Sequence, residues 1–206
     1  MPRIVRDDLD RFLHFGLLPG TRTIYLGEAK LDTDAWPMQS PGVDYRLADH
    51  VIKSIHILES LNVEPINIIV NNPGGEEYHG LAIYDAIRAT RCDVTVRIVG
   101  QAMSMAAWFT QAADTRIIFP NATMMIHYGS MYFEGHSLNM ARHAKESNRL
   151  NELMERHLLE RIREKHPNFT VKKLREKLLF DSFFTAQQAV DFGLADEVFV
   201  VPERRK

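Results

Sequence analysis

Cysteine occurs once in 206 residues, at Cys92. A single thiol excludes an intrachain disulfide and a multi-cysteine zinc site, and it fits a reducing compartment, so the expected location is cytoplasmic. Long apolar runs are missing too. None approaches the ~20 residues that a membrane-spanning helix needs, and Met1 to Asp8 lack the apolar region of a secretory signal, so no membrane partner is expected. Neither sign of charge dominates, with 25 Lys and Arg against 27 Asp and Glu. Without a basic excess, nucleic acid is not an expected partner. The nine histidines fall in no HExxH or comparable spacing, and neither a GxxxxGKS/T nor a GxGxxG loop is present, so no metal and no cofactor is expected. No linker, repeat or low-complexity segment divides the chain, and residues 1–206 are expected to form one domain.

What is present is an alternation of short apolar runs and helical patterns. Thr23 to Leu26 reads as a strand, and Pro37, Ser40, Pro41 and Gly42 mark Asp32 to Asp44 as an irregular loop. Leu47, Val51, Ile52, Ile55, Leu58 and Leu61 recur at helical spacing, with Asp44 as cap and Asn62 near the end. Ile66 to Val70 is almost wholly apolar between breakers, which predicts a strand covered on both faces. A helix from about His79 to Thr90, a strand Val94 to Val99, a helix Met105 to Ala113 and short strands near Arg116–Phe119 and Thr123–His127 follow. Repeated strand-then-helix units predict an α/β fold with a largely parallel sheet.

From Ser137 to Lys165 a long helical pattern has two unlike halves. Leu150, Leu153, Met154, Leu158 and Ile162 form an apolar stripe, whereas Asn139 to Arg149 is mainly polar, so the first half is expected to project as a solvated arm or a subunit contact. A charged helix Val171 to Leu179, an apolar link Phe180 to Phe184, a final helix and a strand Glu197 to Val201 complete the chain. Thr185 with Gln188 forms a capping box for the final helix, and Gly193 suits its end.

Ser104 stands where a strand ends and an alanine-rich helix begins. There, unpaired amides and the positive end of the helix dipole would stabilise an oxyanion if its hydroxyl attacked a carbonyl, yet serine is also an ordinary N-cap. A serine nucleophile needs a base and a group to orient that base. His127, at the end of an apolar strand, suits the base, although such a histidine also serves structurally. Asp181, in the apolar context Leu178 to Phe184, would pair with an imidazolium, or stand as a turn aspartate. Asn71-Asn72-Pro73-Gly74-Gly75 follows a strand, and its glycines permit close backbone approach to a ligand or simply an ordinary turn.

Together, several separated blocks resemble the proteolytic subunit of the Clp family of serine peptidases from about Arg22 to Val201. They are Asn72-Pro73-Gly74-Gly75 with Gly80-Leu81-Ala82-Ile83-Tyr84-Asp85, Gly100-Gln101-Ala102-Met103-Ser104-Met105, Pro120-Asn121 with Met125-Ile126-His127, and Asp181 with Phe183, Thr185-Ala186, Ala189-Val190 and Phe192-Gly193-Leu194. The resemblance implies a crotonase-like superhelix of ββα units with a handle helix at 137–165. It implies a serine endopeptidase with Ser104 as nucleophile, His127 as general base, Asp181 as its orienting carboxylate, and the Gly75 and Met105 amides as oxyanion hole. It further implies homo-oligomeric seven-membered rings, stacked in pairs through the handle as a tetradecamer around unfolded polypeptide, with a Clp ATPase as partner. A non-catalytic subunit of a mixed ring would share these features without the chemistry, and a crotonase-type acyl-CoA enzyme would not need the relay.

The chain also departs from the family. The segment before the first strand is short where the ATPase-engaging hairpin is typical, and Asp32 to Asp44 resembles an insertion. Glu76 and Glu77 stand where apolar or small residues line the substrate groove, which predicts that one glutamate favours basic substrates. Tyr128-Gly129 replaces Gln-Pro, Met103 and Ala106 replace Ala and Gly and would narrow the specificity pocket, and Phe180 replaces an arginine linked to ring stacking.

Overall fold

Burial alternates along the central strands, and that alternation sets the architecture. The computed structural model describes residues 16–27, 42–130 and 134–202. In β3 (Ile66–Asn72), Ile66, Ile68, Val70 and Asn72 are buried, and in β4 (Val94–Met103), Val94, Val96, Ile98 and Ala102 are. The intervening residues of β3, among them Asn67 and Ile69, are only half-buried. Coverage of both faces, expected from the apolar run, is therefore complete on one face alone.

The order in the sheet is β1 (Leu17–Leu18), β2 (Thr23–Leu26), β3, β4, β5 (Thr115–Ile118) and β8 (Glu197–Val198). All these pairs are parallel except β1 with β2. β4 does not stop at Val99. It continues through Gly100 (φ 79°) to Met103, pairs with β5 over Thr95–Ile98, and then pairs with β6 (Thr123–Ile126) over Gln101–Met103. β6 in turn lies antiparallel to β7 (Ser182–Thr185), a strand within what the sequence suggested was a plain apolar link.

Helices α1 (Tyr45–Leu61) and α2 (Glu77–Ala89) send Leu47, Val51, Ile55, Leu58, Ile83 and Ile87 into the same apolar core as the inward strand residues. Asp44 caps α1, accepting from the amides of Arg46 and Leu47 at 3.0 Å each. α3 (Met105–Phe109) is shorter than the expected helix, because residues Thr110–Ala112 tighten into a 3₁₀ turn. α4 (Ser137–Lys165) spans 29 residues, about 44 Å at 1.5 Å per residue. Its first turns are exposed, whereas Leu150, Met154, Leu158 and Ile162 are buried, so the two halves divide as the polarity predicts. α5 (Val171–Leu178) buries Leu174 and Leu178. α6 (Ala186–Phe192) begins with the Thr185–Gln188 capping box and ends on Gly193 at φ 94°. Residues 1–15 and most of the Asp32–Asp44 loop lie outside the described residues.

Candidate active site

Ser104 occupies the N-cap position of α3 but does not cap it. Its backbone sits at φ 54°, ψ -123°, and its side chain makes no bond to the helix amides. A positive φ on a serine is strained, and it is held because Ser104 N–H donates to Met125 O at 2.8 Å while Ser104 O accepts from Trp108 N–H at 3.2 Å. The sharp strand-to-helix turn thus presents the hydroxyl away from the helix axis. Gly74 makes room for it. A Cβ at that position would stand 2.6 Å from Met103 O and 2.7 Å from Ser104 Cβ, so only glycine allows the two loops to approach.

The hydroxyl meets the imidazole instead. Ser104 Oγ lies 2.8 Å from His127 Nε2, and His127 Nδ1 lies 3.0 Å from Asp181 Oδ1. The β6–β7 ladder accounts for the second contact. Ile126 pairs with Ser182 in antiparallel register, so the next residues outward, His127 and Asp181, face one another. A ring carrying its proton on Nδ1 donates to the carboxylate and leaves Nε2 free to accept from the serine. Asp181 is well exposed, and Phe180 before it is 78% exposed.

Gly75 and Met105 belong to the two loops that meet here, since a Cβ on Gly74 would stand 3.0 Å from Met105 N. Asn72 Oδ1 accepts from Gly74 N–H at 2.9 Å, and Val43 clamps the turn, donating to Gly74 O at 2.7 Å and accepting from Glu76 N–H at 2.8 Å. Gly75 (φ 149°) lies so close to Val43 that a Cβ would come within 2.5 Å of its nitrogen. Among the described residues, neither the Gly75 amide nor that of Met105, the first residue of α3, has an acceptor. Two such donors, on the loops that flank a hydroxyl touching a histidine, are of the kind that can stabilise negative charge developing on an attacked carbonyl.

Of the other singled-out positions, Met103 is half-buried, but Ala106 is fully buried in the core and cannot line a pocket, which corrects that expectation. Tyr128 turns inward. Its hydroxyl donates to buried Glu155 of α4, whose carboxylate also takes two bonds of 2.9 Å from Arg175 of α5. Burial, and then the bond to Glu155, push the Tyr128 hydroxyl up to about 12. Burial alone would raise the Glu155 carboxyl, but Arg175 and Tyr128 outweigh it and hold it below the usual range. This triangle escaped the sequence reading, although an acid inside the apolar stripe of α4 was a visible signal. So was Asn-Pro-Gly, the mark of a turn closed by the asparagine side chain.

Among the described residues no group of acidic, histidine or cysteine side chains is arranged to hold a metal ion, and no helix is long and apolar enough to cross a membrane.

Comparison with known proteins agrees with the motif blocks. The model of the family described as Clp protease matches residues 29–202. The chain is also similar to the protein of Deinococcus radiodurans named ATP-dependent Clp protease proteolytic subunit, with 36% identity over 159 residues, covering 76% of each chain.

Proposed function

Because the chain belongs to the Clp protease family, we propose that it is a proteolytic subunit and a serine endopeptidase in which Ser104 is the nucleophile, His127 the general base and Asp181 the group that orients it. The observation that carries this reading is the continuous line of contacts from Ser104 Oγ to His127 Nε2, 2.8 Å, and from His127 Nδ1 to Asp181 Oδ1, 3.0 Å.

A peptide carbonyl beside Ser104 is attacked by Oγ as His127 Nε2 takes its proton. The oxyanion that forms is stabilised by the amides of Gly75 and Met105, and Asp181 stabilises the imidazolium. His127 then gives the proton to the leaving amine. Water, activated by the same ring, releases the acyl group from Ser104. Loss of one oxyanion donor costs about 3 kcal/mol of transition-state stabilisation in such chemistry, so the Val43 clamp on Gly74 and Glu76 serves catalysis directly.

Substrates on this reading are peptides and unfolded polypeptides, held in a chamber built from several copies of the chain. The exposed half of α4 supplies the contact between rings, seven subunits to a ring and two rings stacked. A Clp ATPase that feeds polypeptide to the chamber is the partner on this reading, in keeping with the words ATP-dependent in the relative's name.

The test is labelling of the assembled protein with a fluorophosphonate, followed by native mass measurement. One label per subunit on an oligomer, lost in Ser104→Ala, is the expected result. Absence of labelling in every assembled state would reject the peptidase assignment and leave a non-catalytic subunit.

A further inference from the structure

Two glutamates open α2, Glu76 at its N-cap position and Glu77 in its first turn, and they differ in surroundings. Glu76 is well exposed and lies 3.3 Å from His79 Nε2. Among the described residues the Glu77 carboxylate has no hydrogen bond and no cationic partner, and the side chain is half-buried. Its carboxylate rests against Gly129, filling the space that a side chain at that position would take. Gly74, three residues before Glu77, borders the Ser104 turn, and His127, two residues before Gly129, touches the Ser104 hydroxyl. The carboxylate therefore lies between the segment that carries Gly74 and the segment that carries His127, both of which reach Ser104.

We propose that Glu77 selects basic side chains in the substrate, a lysine or arginine of the bound peptide supplying the cation that this carboxylate lacks. The proposal rests on the peptidase reading above and names its substrate class. Its physical basis is the cost of the present arrangement. Burial, and then the negative charge of Glu146 on α4, push the Glu77 carboxyl above its usual range. Glu146 cannot relieve this by protonation, because hydrogen bonds from Arg149 and Tyr78 hold it down at about 2. No cation of the described residues is spent on Glu77, so an arriving ammonium or guanidinium meets an anion that is partly desolvated and repelled by its neighbour. A glutamine at the same place would keep the shape and lose the attraction.

The experiment uses the full-length assembled protein and internally quenched peptides in which one lysine is moved stepwise along both sides of the cleaved bond. Each is paired with the same peptide carrying Nε-acetyl-lysine, which keeps the length and removes the charge. The wild-type ratio of kcat/KM, lysine over acetyl-lysine, is expected to reach about fivefold at one position, the scale of a partly solvated ion pair. It should fall to about one in Glu77→Gln and below one in Glu77→Lys, where acidic peptides take over. Labelling rates at Ser104 in each variant verify that the site is assembled. A ratio of one at every position in the wild type, or a preference that persists in Glu77→Gln, overturns the proposal while leaving the peptidase reading intact. No labelling and no cleavage of any peptide by the wild type overturns both.

Discussion

Ser104 and Asp181 reach His127 through backbone placement as much as through their side chains. The serine is legible as a residue of interest because a strand, a glycine turn and a helix converge on it, yet its dihedrals are not those of a helix cap. Its hydroxyl reaches His127 only because φ is 54° and Gly74 lacks a side chain. Asp181 is 58% exposed, so it does not supply a strongly desolvated charge. On the peptidase reading proposed above, its role is to fix which imidazole nitrogen carries the proton. Asp181→Asn, which removes that preference while keeping the size, should lower kcat on the order of 10³ to 10⁴-fold with little change in KM. Steady-state cleavage of one neutral peptide checks this. A loss confined to KM would mean that Asp181 binds substrate and does not orient the base.

At the scale of elements, periodicity and capping chemistry located α1, α2, α4, α5 and α6, because their apolar spacing and the Asp44 and Thr185 caps are local signals. The strand β7 was not legible for the opposite reason. Of its residues only Phe184 is buried, and its existence depends on β6, whose paired residues lie more than 55 positions earlier in the chain. The contact of His127 with Asp181 follows from the register of β6 and β7, so the residues alone offered Asp181 only as a partner for some imidazolium or as a turn aspartate, and it was the family resemblance that joined the two. Just beyond His127, Tyr128 ties the end of β6 to α4 and α5 through Glu155 and Arg175, and this tie has a pH signature. Tyr128 ionises near 10 when unfolded and at about 12 in the fold. The folded chain holds that proton more tightly, so the contribution is complete below pH 10 and is lost as the pH rises toward 12. Tyr128→Phe should be less stable than the parent by about 1 kcal/mol near neutrality, the net value of one hydrogen bond. The gap should close on the alkaline side, because the other tyrosines are common to both proteins. Urea midpoints near neutrality and at high pH measure it, and a gap that stays constant would show that Tyr128 does not ionise on this network.

For the whole molecule the informative feature is what the exposed half of α4 leaves uncovered. The stem of the helix is fixed by Leu150, Met154, Leu158 and Ile162 in the core, and a bond from Tyr78 Oη to Glu146 Oε1 at 2.9 Å ties the exposed half to α2. Beyond it Leu138 is 74% exposed and Met140 53% exposed. Two residues apart on a helix, they face different sides, so a partner covering both must wrap the first turn. Full burial of such side chains is worth roughly 1.5 to 3 kcal/mol each, enough to favour association when several copies repeat the contact. Leu138→Glu with Met140→Glu places charges in that contact while touching nothing buried, so the circular dichroism of the subunit should stay as it is. Native mass should fall from the parental oligomer to smaller species. The rate of fluorophosphonate labelling at Ser104 should fall with it, because α4 carries Glu155 and through Tyr128 bears on the strand end that holds His127. A double variant that keeps the parental mass would exclude this end of α4 from the assembly contact. Unchanged labelling of the dispersed subunits would show that the Ser104–His127 geometry is fixed within one chain, by the β4–β6–β7 ladder alone.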